Sequence, residues 1–343
     1  MHFNQLSRVF FLATVFFFLG HHPIQAQTEL TPSPYTFRDP LDTLIDQHIL
    51  RPAPSFNPKR FWIATGTGTI LYTATSYALW QTWYADFPRS SFQTINDWPE
   101  WLQMDKAGHA FTAYQYSKMA YAAANWTGLA PVKSRWTAFG VSTLFQSTLE
   151  MMDAYSAEWG FSWTDVAANT VGSGLFLAQD ILWNEQRILL KVSNDLRPIP
   201  DVPIINGNGV EGNLGDVVRL RYGTGLVERY LKDYNSQTIW ISANLKSFSP
   251  RSNLPDWLNL AVGYGAEDVY GALGNNWTIN GQGFGYAPKR YRQVFLSPDV
   301  YFSRIPTRKR WVRFILGTLD FFKLPAPALE YSRGRFRAHW FMW

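Results

Sequence analysis

Four helix-length stretches between residues 61 and 183 are nearly free of charge, and their few ionisable side chains recur at helical spacing. Phe61 to Ala85 has no charged residue. Asp105 to Trp126, Lys133 to Asp153 and Thr164 to Trp183 each place their acids and amides on one stripe. Asp105 and His109 are four residues apart, Glu150 and Asp153 three apart, and Asp165, Asn169 and Gly172 fall at i, i+4 and i+7. Residues three and four apart share a helix face. Carboxylates on an otherwise apolar helix need partners, water or a ligand, because burying them alone costs several kcal/mol. The pattern therefore predicts a bundle of about four apolar helices that brings three polar stripes together, with Lys106 directed away toward Ala110 and Ala113. Gly172 and Gly174 would let a neighbouring helix approach closely. Thr164 stands where an N-cap would, with Asp165 in the first turn.

The chain around this segment divides further. Arg8, the apolar run Val9 to Leu19 and a small residue at Ala26 read as a signal peptide over residues 1–26. The run is too short for a transmembrane anchor. Residues 27–59 are a proline-rich extended lead-in, 60–190 the helical domain, 191–215 a Pro/Gly/Asn-rich linker and 216–343 a C-terminal region. Gly207, Gly209 and Gly212 have GxGxxG spacing, but prolines precede them where a dinucleotide site needs a strand, so a flexible loop is expected. The C-terminal region alternates β-branched and aromatic residues over 238–245, 293–305 and 328–343, with a basic helix over 308–322. The fold class expected is α+β, a helical bundle followed by antiparallel strands and short helices.

The ordered motifs resemble a known pattern. Asp105 to His109 (DKAGH), Glu150 with Asp153, and Phe161 to Gly174 (FSWTDVAANTVGSG) resemble the YfiM-like family over residues 95–190. That family comprises predicted periplasmic lipoproteins of unknown function. The same order resembles the VanZ-like membrane family, in which an Asp-Lys-x-x-His helix precedes a Glu and an Asp-x-x-x-Asn-x-x-Gly helix. The resemblance marks Asp105, Lys106, His109, Glu150, Asp165, Asn169 and Gly172. It departs from the VanZ-like pattern between Glu150 and the last helix, where Glu158, Trp159 and Gly160 stand in place of an Arg.

These residues leave two functional classes open. In one, Asp105, His109, Glu150, Asp165 and Asn169 form an interhelical polar cluster in an accessory, non-enzymatic envelope protein. In the other, the same cluster is the site of an enzyme or binding protein for a lipid-linked or cell-wall substrate. HExxH is absent and a single histidine lies in the segment, so no metal and no cofactor are expected. Gly172-Ser173-Gly174 is not a nucleophile elbow, and Ser117-Lys118 lacks the S-x-x-K spacing.

Composition narrows the compartment. The chain has no cysteine, which excludes disulfides, thiolate metal sites, a cysteine nucleophile and a lipidated cysteine. Its net charge of +5 has a local source in Arg308, Lys309, Arg310 and Arg313, interleaved with Trp311 and Phe314. That cluster is a candidate membrane interface, with a solvated helix end as the alternative. Membrane lipid and other envelope proteins are the expected partners, and nucleic acid is not. The expected location is the periplasm or outer membrane, with inner-membrane insertion left open. Trp343 suggests an outer-membrane strand, but His339, Arg337 and Arg335 interrupt its face. The apolar alternate face, Phe336, Ala338, Trp340 and Met342, is expected to pack on the protein's own domain.

Overall fold

A computed structural model describes residues 50–342 apart from Asp86, Leu196 and Asn280. The expected signal peptide and most of the proline-rich lead-in lie outside the described residues. The first helix, α1 (Pro58–Leu79), starts where the Asn57 side chain accepts from the Arg60 amide and proline occupies the first turn. A π-helical turn, Trp80–Tyr84, extends it. Three further helices follow, α2 (Met104–Trp126), α3 (Pro131–Ala154) and α4 (Trp163–Trp183). The cap of α4 is Ser162, not Thr164: the Ser162 Oγ accepts from the Asp165 amide at 3.1 Å. Short strands β1 (Thr94–Ile95) and β2 (Phe161–Ser162) pair in parallel and fix that capping residue.

Helices α2, α3 and α4 pack mutually, while α1 stays largely exposed and meets them through Arg60, stacked on Trp126, and Tyr72, whose hydroxyl lies 2.6 Å from Thr148 Oγ1. The contact of α2 with α4 is closest at Gly172, where a Cβ would fall 2.0 Å from the Ala110 carbonyl oxygen. Gly174 has open space at the same place, so only one of the two expected glycines serves close approach. Ser142 Oγ donates to the Ala113 carbonyl at 2.8 Å and lies 2.9 Å from Ser173 Oγ, tying all three helices at one level.

The C-terminal half is an antiparallel sheet with small additions. Its strands are β3 (Ile188–Asn194), β4 (Pro203–Ile205), β5 (Glu211–Asn213), β6 (Gln237–Asn244), β7 (Leu258–Glu267), β8 (Asn276–Ile279), β9 (Gln282–Gly285), β10 (Tyr291–Val300), β11 (Ala326–Ser332) and β12 (Arg335–Met342). Six form one sheet in the order β12-β11-β10-β7-β6-β3, and β4-β5 and β8-β9 are separate hairpins. Strand β3 crosses the expected boundary at 190/191, because its Leu190 and Val192 join the helical core. The glycine-rich stretch is the β4–β5 hairpin, turning through Gly209 at φ 77. Short helices α5 (Leu214–Tyr222), α6 (Leu226–Lys232), α7 (Leu245–Phe248) and α8 (Arg310–Leu319) complete the chain. The backbone of residues 321–323 bonds to Val192, continuing the sheet beyond β3.

One face of the sheet is buried and carries a polar network beside Trp240 and Phe295; the other is apolar, covered by the helices at Leu190, Val192, Ile239 and Tyr264 and open from Ile241 and Val262 out to β12. Lys191 is fully buried, with Nζ 2.8 Å from Asp299 Oδ2 and 2.6 Å from the Val300 carbonyl oxygen. Ser242 Oγ donates to Asp299, Asn259 to Ser242, and Asn244 to Asn259, all within 2.9 Å. Toward the other edge Gln293, Ser332 and His339 surround the Glu330 carboxylate. The opposite face carries rows set by strand register: Phe336, Tyr331 and Val294, then Ala338, Leu329, Leu296, Val262 and Ile241. Strand β12 does not pack its apolar side on the domain, for Phe336 is 70% and Trp340 84% exposed.

The helices likewise combine buried polar stripes with exposed apolar residues, beside an apolar core that includes Phe111, Tyr114, Tyr121 and Phe176. On α3, Ser134, Ser142, Gln146 and Glu150 are buried while Trp136, Val141 and Leu144 are exposed. On α4, Asp165, Asn169, Ser173, Gln179 and Asp180 are buried while Trp163, Val171 and Leu182 are exposed. Among the described residues no helix is long and apolar enough to cross a membrane.

The two glycines of α4 should part company on substitution. Gly172→Ala must push α2 from α4 and is expected to cost about 1–3 kcal/mol, as overpacking does. Gly174→Ala meets nothing and is expected to gain about 0.5–1 kcal/mol from helix propensity. Denaturant melts of both variants read the difference.

Candidate functional site

The stripes predicted on α2, α3 and α4 converge, but the residue at their centre is Lys106. Its side chain is only 7% exposed, and its Nζ lies 2.6 Å from Asp97, 2.9 Å from Asp105 and 2.6 Å from Asp165. The expectation that it turns toward Ala110 and Ala113 is overturned. A flexible ammonium carries three donors, and three carboxylates around it outbid any apolar placement.

His109 stands beside this centre. Its Nδ1 is 3.1 Å from Asn169 Oδ1 and 3.7 Å from Glu150 Oε1, and its Nε2 is 3.6 Å from Asp165 and 3.8 Å from Asp105. Asn169 Nδ2 donates to Glu150 Oε1 at 3.4 Å, and the Ser162 amide reaches Glu150 Oε2. Asp105, Lys106, His109, Glu150, Asp165 and Asn169 are therefore one constellation. Gly172 belongs to the helix contact one turn farther on. Asp153 stands apart, accepting from the Tyr84 hydroxyl at 2.7 Å.

Two members had no signal at helical spacing. Asp97 comes from the segment before α2, where its Oδ1 accepts from Ser162 Oγ at 2.6 Å and Thr164 Oγ1 at 2.7 Å. Tyr234, after α6, donates to Asp105 Oδ1 at 3.0 Å. Its arrival depends on how the C-terminal half folds back. Between Asp97 and α2, Trp101, Leu102 and Gln103 are all left-handed, with φ 50, 52 and 65. This disfavoured conformation is held from the C-terminal half: the Tyr264 hydroxyl donates to the Leu102 carbonyl, and Arg292 to Gln103 Oε1 at 2.6 Å.

The electrostatics sort the acids into two kinds. Burial works to raise Asp97, but hydrogen bonds from Asp165, Lys106, Ser162 and Thr164 win and hold it well below the usual range. Burial likewise opposes ionisation of Asp105, and His109 and Lys106 overcome it. Burial, with the Asp105 charge adding to it, pushes Asp165 upward, and the same effect raises Glu150. Burial brings Asp153 up to about 7. His109 is desolvated too, yet Asp105, Asp165 and Glu150 raise it to about 9. Two ionised acids thus balance two cations, and the remaining carboxyls are biased toward their neutral form.

One oxygen or nitrogen from each of Asp105, His109 and Asp165 lies within 4.8 Å of the others, a donor set that suits a divalent cation. The Lys106 ammonium bonds both of those aspartates, so a cation there would have to displace it. The other candidate patch is separate. Residues 310–319 form α8, shorter than the expected 308–322, with Lys309 stacked over Trp311 and Arg313 donating to the Thr307 carbonyl. Trp311 and Phe314 are half-buried, and Ile315 is the exposed apolar residue of the helix.

Lys106→Met should leave Asp97 and Asp165 without their cation. The expected loss is about 3–5 kcal/mol, partly restored by adding Asp97→Asn, as read by denaturant melts. The pH dependence has a definite sign. From pH 3.8 to about 7 the folded chain keeps a proton on Asp153 that the unfolded chain releases. From pH 6.5 to about 9 it keeps one on His109. The native state binds more protons across both windows, so stability falls as pH rises. Melting temperature should drop from pH 5 to pH 9, and Asp153→Asn should flatten the lower part and exceed the unmodified protein at pH 8.

No curated protein and no solved structure matches this chain. Residues 97–179 match the family described as predicted periplasmic lipoprotein (DUF2279), a span that begins at Asp97 and takes in the polar constellation apart from Tyr234.

Proposed function

We propose that the protein is an exported, membrane-associated component of the cell envelope with an accessory or structural role. In this reading the polar cluster organises the helical domain and does not turn over a substrate. The observation that carries it is Lys106, which bonds carboxylates from three separate segments while His109 and Asn169 occupy the remaining acids. Groups so engaged with one another have little capacity left for a substrate. The match over residues 97–179 supports an exported, periplasmic setting, and the ordered Asp-Lys-x-x-His and Asp-x-x-x-Asn-x-x-Gly motifs are the reason for the finer YfiM-like and VanZ-like reading. The matched family is described as lipoprotein, yet the 343 residues contain no cysteine to carry a lipid. Attachment to a membrane then falls to other residues, the 308–314 cluster among them.

The second reading, a site for a lipid-linked or cell-wall substrate, draws on the His109–Asp105 edge, where the side chains are 18% and 25% exposed. His109→Ala and Asp165→Ala decide between the two. A structural cluster predicts lower melting temperatures for both, with no change in lipid-linked cell-wall intermediates in cells carrying a folded variant. Unchanged melting in both, or accumulation of such intermediates with a fully folded variant, would sink it.

A further inference from the structure

We infer that the open apolar face of the six-stranded sheet is the surface that seats the protein on a phospholipid bilayer. This deepens the envelope reading above, on which it rests, and names the contact that reading leaves open. The face is built by alternation. In β10, Gln293, Ser297 and Asp299 turn inward and are buried, whereas Val294 and Leu296 turn outward and are exposed. With about 6.8 Å between successive outward residues and about 4.8 Å between strands, the two rows, the longer on five strands, cover roughly 7 by 19 Å. Soluble sheets that expose one face make that face polar. Here the charged groups are inside, saturated by one another, and the outward positions are left apolar.

The choice of lipid over a second copy of the chain follows from three observations. The apolar exposure is not confined to one patch, since α3 and α4 also turn tryptophan and aliphatic residues outward. A self-complementary protein interface would concentrate it, whereas an acyl environment accepts it on several elements. Next, one apolar row ends at a cation: Arg292 continues the outward face one step beyond Val294. Apolar residues bordered by arginine complement acyl chains under anionic headgroups. Finally, no cysteine is present to carry a lipid anchor. The aromatic residues of β12, Phe336 and Trp340, are the most exposed large side chains on this face and would enter the membrane first.

The absence of cysteine makes the test direct. Single nitroxide labels at Val294→Cys, Leu296→Cys and Val262→Cys, with Glu211→Cys on the β4–β5 hairpin as control, are read in the chain without residues 1–26. Phosphatidylethanolamine/phosphatidylglycerol vesicles should make the three sheet labels accessible to oxygen and shield them from a water-soluble nickel complex, leaving the control unchanged. Phe336→Ser with Trp340→Ser should weaken vesicle binding about tenfold or more, without lowering the melting temperature, because both side chains are already exposed. Sheet labels that stay open to nickel with vesicles present overturn the inference. So do labels shielded from both reagents and broadened by dipolar coupling, the signature of a second copy on this face. Either result leaves the cluster melts untouched. Conversely, retention of the chain in the cytoplasm would remove the envelope reading whatever the labels report.

Discussion

The ammonium of Lys106 is the interaction on which the helical half depends. It joins Asp97 of the preceding segment, Asp105 of its own helix and Asp165 of α4, so that one side chain sets the spacing of three pieces of backbone. Without it, the interior would hold several carboxyls competing for His109 alone. With it, Asp97 and Asp105 remain ionised, and burial drives Asp165 and Glu150 toward neutrality. A buried ion pair is weak evidence of net stability but strong evidence of a specified arrangement, since any other register strands a charge.

The arrangement extends across the two halves. Tyr234 donates to Asp105, and Tyr264 and Arg292 hold the left-handed turn that launches α2. The sheet repeats the same design with the buried pair of Lys191, on its β3 edge, and Asp299. In both halves a buried polar network sits beside an apolar core, and further apolar side chains face outward.

Much of the helical segment was legible residue by residue. Asp105, His109, Glu150, Asp165 and Asn169 lie on helices, where 3.6-residue periodicity reports which side chains share a face. Asp97 and Tyr234 lie in irregular segments, where no periodicity exists to report direction. Lys106 was misplaced for a related reason: helical geometry points its Cβ away from the stripe, but a four-carbon stem lets the ammonium swing back to the acids. The outward side of β12 was legible as apolar. Its solvent was not, because alternation separates two faces without saying which one the rest of the chain covers.

The sequence by itself determined the helices, the existence of three polar stripes and the absence of thiol chemistry, since these follow from local spacing and composition. Only the tertiary structure decided that the stripes meet around a lysine, that a tyrosine from the far half completes them, and that the sheet turns its apolar side outward. Each of those depends on which surfaces approach one another. Local periodicity orients a side chain about its own axis, and only the packing of distant segments chooses what it faces.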